Sequence, residues 1–449
     1  MKDLTKGKER NLILKFALPM LLGSVFQQLY NVVDSIIVGH YIGKDALSAV
    51  GASFPVFYAL ISLVIGLGSG AGIVISQYYG AKQNDKVQIA VDTMYIFMFV
   101  SSLIITFFGI IFIKDIFLLL KLPPEIMKDA ELYLTITLGG LIIAFGYNGT
   151  ASIFRSLGDS KRPLYFMIIS TVTNIILDLL FVVYFKWGIA GVAIGTVISQ
   201  AGAFASAVIY INRNHKILKI RFLHLKFDKD IMFKSFRIGI PSGLQQLFVA
   251  LGMTAILAIV NGFGTSVIAA YTVAGRIDFF AIMPAMIFAQ ALTSFTGQNM
   301  GAGKIDRVKK GFRSVMIMSI TVSVVLSIIV ITGSRVLMKL FTPDEDVITE
   351  GMHYLRIVAP SYVLFAIMFS FTGVFRGAGD TLIPMFITLF SLWIIRVPFA
   401  YYLSADYGTT GIWYSIPLAW SSGLLFSLIY YFTGRWKRKA VVKIPLTDF

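Results

Sequence analysis

Long apolar runs recur twelve times along this chain, and no other feature constrains its fold as much. A helix needs about 20 mostly apolar residues to cross a hydrocarbon core about 30 Å thick, because it rises about 1.5 Å per residue. Such runs lie near residues 12–38, 50–76, 89–113, 131–155, 163–185 and 188–211. A second set lies near 236–261, 268–297, 310–333, 350–375, 381–403 and 408–432. Numbered helices 1 to 12 in chain order, they predict an all-α membrane protein. Only 14% of the 449 residues are charged and 57% are hydrophobic. A soluble protein carries about 25% charged residues, and a soluble fold could not hide so much apolar surface. Lys2, Lys6, Lys8 and Arg10 precede helix 1 as in a signal peptide. That run is too long and lacks a small-residue cleavage site, so it is expected to be a retained helix.

Composition also narrows the chemistry. With no cysteine, disulfides, thiolate zinc sites, iron–sulfur clusters and cysteine nucleophiles are excluded. The four histidines, His40, His215, His224 and His353, fall near helix ends or in polar loops, which argues against a histidine metal site. No phosphate-binding loop follows Gly66, Gly68, Gly70 and Gly72, whose spacing by two in helix 2 instead permits close helix approach. The chain is therefore not expected to be an enzyme, and without an ATPase motif an ion gradient has to supply its energy. No cofactor is expected beyond the coupling ion.

The formal net charge of +16 would suggest nucleic acid in a soluble protein, but its distribution says otherwise. The N-terminus, the loops after even-numbered helices and the C-terminus hold 29 of the 39 Lys and Arg, against 7 in the opposite loops. Positive charge stays on the cytoplasmic side, so both termini are expected in the cytoplasm. The expected location is the cytoplasmic (plasma or inner) membrane, with the bilayer and a small organic substrate as partners, no nucleic acid, and a monomeric state.

The chain also repeats itself at an offset of about 221 residues. Arg155-Ser156-Leu157-Gly158-Asp159 with Pro163 recurs as Arg376-Gly377-Ala378-Gly379-Asp380 with Pro384. Gln77-Tyr78-Tyr79-Gly80-Ala81 recurs as Gln298-Asn299-Met300-Gly301-Ala302, and Pro19 matches Pro241. Six helices per half is an even number, so both halves insert the same way. The expected architecture is two six-helix lobes related by a pseudo-two-fold axis along the membrane normal. The domains are then 1–211, a polar basic cytoplasmic connector at 212–235, and 236–449.

Carboxylates within spans point to function, because Asp or Glu at the centre of a membrane helix costs roughly 2.5–3.5 kcal/mol on insertion scales. Asp34, Asp178 and Asp278 are the acids well inside predicted spans. Helix rise places Asp34 roughly 6 Å and Asp178 roughly 10 Å below the outer ends of helices 1 and 5, with Thr196 roughly 12 Å down helix 6. Gln27, Asn31 and Asp34 share one face of helix 1, and Thr171, Asn174 and Asp178 share one face of helix 5. Two carboxylates with amide and hydroxyl oxygens suit a proton or a sodium ion, and the residues do not choose between them.

Taken in order, these pieces resemble the multidrug and toxic compound extrusion (MATE) transporters. The resemblance covers the whole chain. It rests on Phe16-Ala17-Leu18-Pro19, on Asn31-Val32-Val33-Asp34 with Ile37-Val38-Gly39, and on Gly43 through Ala49 followed by Val50-Gly51. It also rests on Gln77 through Ala81 and on the two Arg-x-x-Gly-Asp loops. It implies two six-helix lobes forming a V, and export of amphipathic, usually cationic compounds in exchange for protons or sodium. Asp34, Asn174, Asp178 and Thr196 match the family's first-lobe cation site. Asn148 is the nearest match to a further asparagine on helix 4.

The second half departs from the branch of the family with acids on helices 7 and 10. Helix 7 offers Gln245 and Gln246, and helix 10 has no acid between Arg356 and Arg376. Instead Arg276, Asp278, Arg356 and Arg396 gather in the second lobe. Asp278 is expected to pair with Arg396 or Arg356, either bracing helices 8, 10 and 11 or leaving the cluster to bind an acidic group of a substrate. Aromatic and thioether side chains are expected to grip substrate, with Phe145, Tyr147, Tyr271 and Met283 the candidates, and Gln27 of helix 1 a polar one. The alternative function is a flippase or exporter of a lipid-linked or anionic substrate on a related fold, favoured by those arginines.

Overall fold

A computed structural model describes residues 2–215 and 218–442. Every regular element among them is helical. Eleven helices are long and apolar enough to cross a membrane. They are α1 (Glu9–Ile42), α2 (Lys44–Gly80), α3 (Asn84–Leu119), α5 (Lys161–Tyr184), α6 (Gly188–Asn214), α7 (Lys229–Asn261), α8 (Thr265–Gly301), α9 (Ile305–Lys339), α10 (Glu345–Ala378), α11 (Leu382–Tyr407) and α12 (Thr409–Phe432). The twelfth span, α4, is a pair, Pro124–Gly139 and Leu141–Ser156, bent by 52°. The bend falls at Gly140, where an added Cβ would collide with the Val197 side chain of α6.

All twelve expected helices are present, and many run further than hydropathy shows. The 37-residue α2 and α8 are each roughly 55 Å long, well beyond the hydrocarbon thickness. Their polar ends still propagate the helix where water can solvate side chains.

The duplication is visible in the backbone. Left-handed φ angles occur at Gly43 and Gly264, at Gly158 and Gly379, and at Gly188 and Gly408. Lys82 and Gly303 form a fourth such pair. Corresponding helix junctions in the two halves thus use the same turn, three of the four with glycine on both sides because it carries no Cβ to clash.

The helices form two compact units, Met1–Asp3 with Leu18–Gly243, and Leu4–Ala17 with Leu244–Phe449. The division falls inside α7, not in the polar stretch expected to separate the domains. Gly66 and Gly70 explain why. A Cβ on Gly66 would come within 2.5 Å of the Gly243 Cα, and one on Gly70 within 2.6 Å of the Gly239 nitrogen, so the first half of α7 lies backbone to backbone on α2. The polar stretch is likewise stitched to α3. Gln88 exchanges two 2.9 Å hydrogen bonds with the Lys219 backbone, and the Asp228 amide donates to Thr93 at 3.1 Å. Lys216 lies outside the described residues.

Residues 4–17 belong to the second unit because of buried hydrogen bonds. The Leu4 amide donates to Gln298 at 2.9 Å, Asn299 donates back to the Leu4 carbonyl at 3.2 Å, and Arg307 pairs with Glu9 at 3.0 Å. The second unit's core gathers Ile256, Val260, Ala270, Ala274, Tyr354, Tyr362, Ala400, Trp413 and Ile416.

Candidate cation site of the first unit

Helices α1, α5 and α6 bring four polar side chains of the first unit together. Asn174 and Asp178 are one turn apart on α5 and 1% and 0% exposed. Asn174 Nδ2 donates to Asp178 Oδ1 at 3.2 Å and lies 3.4 Å from Thr196 Oγ1 on α6. Tyr30 Oη meets the same Thr196 hydroxyl at 3.2 Å. Asp34, one turn beyond Tyr30, lies within hydrogen-bonding reach of Asp178. Tyr133 of α4 stands close enough to act electrostatically on both carboxylates.

The acceptors outnumber the donors. Asp34 Oδ1, Asp178 Oδ2 and Asn174 Oδ1 are buried oxygens with no hydrogen-bond donor. Buried acceptors are normally paired, and leaving one unpaired costs about 1–3 kcal/mol. Three in one cluster, two on carboxyl groups, have the chemistry that suits a small hard cation or a shared proton. Among the described residues no group of three His, Cys, Asp or Glu side chains is placed to hold a metal ion.

The packing around Asp178 is tight on the α6 side. A Cβ on Gly195 would land on Asp178 Oδ1, so glycine at 195 lets that carboxylate lie against the helix. The last turns of α1 and α5, Val38–Ile42 and Leu179–Tyr184, are π-helical, a winding that gathers at functional positions.

Other expected residues lie elsewhere. Asn31 and Gln27 are exposed on α1. Asn148 is exposed on α4, its amide turned back to the Ala144 carbonyl at 2.8 Å, and joins none of the four. Phe145 is buried and Tyr147 half-buried. Three participants were not anticipated from sequence, Tyr30, Tyr133 and Gly195. Tyr30 had a signal, its place one turn before Asp34.

In the second unit Asp278 makes no direct salt bridge with an arginine among the described residues, and Arg396 acts on it only through space. Its carboxylate accepts from Tyr354 Oη at 2.6 Å and from Tyr362 Oη. These tyrosines flank a 3-10 turn at Ala359–Ser361 that interrupts α10, so one side chain of α8 holds both parts of that helix. Two neutral phenols satisfy the carboxylate without burying a second ion in contact with it, so neither arginine touches it. Arg276 and Arg356 are exposed and Arg396 is half-buried. Arg356 lines a cavity of about 330 Å³ with Arg335, Glu345, Thr349, Glu350, Met352 and His353. Tyr271 stacks on Trp413 at 5.7 Å, and Met283 is buried.

A duplicated bundle of membrane-spanning helices is an architecture common among secondary transporters. The chain belongs to the MatE family, whose model matches residues 19–180 and again 241–402. The family is one of multidrug efflux transporters and not of enzymes. The chain is 33% identical over 439 residues to the probable multidrug resistance protein YoeA of Bacillus subtilis, covering 96% of this chain and 94% of that one. It is 32% identical to the probable multidrug resistance protein YpnP of the same organism, covering 97% of each. Its fold is shared with a solved outward-facing multidrug resistance MATE family transporter, at TM-score 0.90 and 24% identity over 98% of this chain and 99% of that one. A MOP superfamily transporter from Pyrococcus furiosus matches at TM-score 0.89 and 24% identity, over 97% and 98%.

Proposed function

We propose that this protein is a secondary active exporter of amphipathic, cationic organic compounds, driven by inward flow of protons or sodium ions bound at Asp34, Asn174, Asp178 and Thr196. The observation that carries this reading is the trio of donorless buried oxygens on Asp34, Asp178 and Asn174. A cation arriving there satisfies all three at once, so the loaded and unloaded states differ in the packing of α1 against α5 and α6. Ion and exported compound then favour different conformations, and each lowers the other's affinity reciprocally. The protein works as a monomer in the cytoplasmic membrane, both termini in the cytoplasm, as the excess of Lys and Arg in those loops supports.

The test is efflux of a fluorescent organic cation from proteoliposomes holding the purified full chain, with sodium and proton gradients imposed separately. Asp34→Asn and Asp178→Asn are expected to abolish gradient-driven efflux while the protein remains inserted and folded. Full activity in both variants rejects the site.

A further inference from the structure

The two matched stretches of the family begin at 19 and 241 and end at 180 and 402, an offset of 222 residues at both ends. The offset is 221 at Gly158 and Gly379, and the π-helical stretch Phe390–Arg396 takes up the extra residue, so Asp34, Asn174 and Asp178 have counterparts 222 residues further on. Asp34 corresponds to Ile256, Asn174 to Arg396 and Asp178 to Ala400. Thr196, counted from the left-handed glycines Gly188 and Gly408 that precede the following helices, corresponds to Ile416. Ile256, Ala400 and Ile416 are nearly fully buried and share one core cluster. Both carboxylates and the hydroxyl have been replaced by hydrocarbon, and the amide by a guanidinium. The polarity of the site is inverted between the repeats.

Among the described residues Arg396 makes no hydrogen bond or salt bridge. It lies near the middle of α11, at the end of a π-helical stretch, Phe390–Arg396. Leu392 and Ala400, one turn to either side, are buried, whereas Ile394 and Phe399 are exposed, so Arg396 belongs to the inward face. Its Nε is buried without an acceptor, and the described residues offer its guanidinium no hydrogen bond or ion pair. Asp278 is near enough to act on it through space, but both of that carboxylate's oxygens are taken by Tyr354 and Tyr362. A guanidinium at mid-span has a large desolvation cost and demands a partner. Its planar fork is matched to carboxylate and phosphate oxygens.

We infer that Arg396 recognises an acidic group, a carboxylate or phosphate, on the exported compound, so that the second unit selects amphiphiles bearing a negative charge alongside their cationic part. The inference rests on the export reading above and names the substrate class that reading leaves open. A guanidinium serving as a built-in cation would need acceptors of its own, and the counterpart positions are hydrocarbon.

The test is equilibrium binding to the purified full chain in detergent, read by fluorescence anisotropy with a carboxylated rhodamine and its methyl ester. The two dyes differ only in the acidic group. The wild type is expected to bind the acid more tightly than the ester. Arg396→Gln is expected to weaken acid binding about tenfold and leave ester binding unchanged, with Arg396→Lys intermediate. Equal affinity for the two dyes in the wild type, or equal loss of both in Arg396→Gln, overturns the inference. Binding is measured without a gradient, so a failure of ion coupling at Asp34 and Asp178 shows in the efflux assay and leaves this result standing.

Discussion

The Oδ1 oxygen of Asp178 occupies the space that a Cβ on residue 195 would need, so the carboxylate on α5 and the glycine on α6 define each other. Gly195→Ala therefore pushes Asp178 off its position without altering any charge. Overpacking by one methyl group costs about 1–3 kcal/mol, small enough for the protein to be made and inserted. Gradient-driven efflux is expected to fall at least tenfold, as read in proteoliposomes beside an expression control. Wild-type efflux in Gly195→Ala would show that the carboxylate tolerates displacement.

Tyr30 acts one step away from the proposed ion. Its hydroxyl meets Thr196 at 3.2 Å, and Thr196 in turn lies 3.4 Å from Asn174 Nδ2. Tyr30→Phe removes one hydrogen bond worth about 0.5–1.5 kcal/mol net. The ion concentration giving half-maximal efflux is expected to rise about two- to tenfold, with the maximal rate preserved. A loss of maximal rate at unchanged half-saturation contradicts this positioning role.

Asp278 supplies a stability prediction. Tyr354→Phe and Tyr362→Phe each strip the donor from one oxygen of a carboxylate that is 8% exposed. A buried acceptor left unpaired costs about 1–3 kcal/mol, more when charged. Each variant is expected to melt several degrees lower in detergent, followed by tryptophan fluorescence. Adding Asp278→Asn to either is expected to recover part of the loss, because a neutral amide tolerates burial better. Unchanged melting in both single variants would mean that the tyrosines do not hold the two parts of α10 together.

What the sequence made legible, and what it did not, follows from helix geometry. A rigid rise of about 1.5 Å per residue was enough to put Asp34, Asp178 and Thr196 at one depth. Height, however, does not give direction around the axis. Tyr30 and Asn31 stand four and three residues before Asp34 and flank it on opposite sides; the structure turns Tyr30 toward Thr196 and leaves Asn31 exposed. Asn148 follows a 52° bend, so the face of the second part of α4 cannot be projected from the first. Charge arithmetic assigned Asp278 an arginine, and Arg396 does act on it through space, but arithmetic on charges could not show that two phenols make the direct contacts. The allegiance of residues 4–17 depends on the Leu4 backbone meeting Gln298 and Asn299, contacts across nearly 300 residues that leave no periodic trace.

The stretch between α6 and α7 carries the last prediction. Gln88 of α3 both donates to and accepts from the Lys219 backbone, and Asn212 does the same with Ile220, at 2.9 and 2.7 Å. These side-chain amides substitute for a neighbouring strand, holding an irregular segment whose described residues show little apolar burial beyond Leu218 and Ile220. Opening of such a segment needs only a few hydrogen bonds to break, so its local stability lies well below that of the helices. Gln88→Ala removes two of them. Trypsin has Arg213, Lys219, Arg221 and Lys226 available there, and cleavage in this stretch is expected to speed up about tenfold relative to the wild type. Cutting at Lys304 and Arg307, which lie in the second unit together with their partners Thr5 and Glu9, should keep its rate and serve as the internal control. Gln88→Glu retains the acceptor for the Lys219 amide and loses the donor, so its cleavage rate should fall between the two. Equal rates in wild type and Gln88→Ala would mean that the segment is held by Asp92, Thr93 and its buried leucine and isoleucine alone.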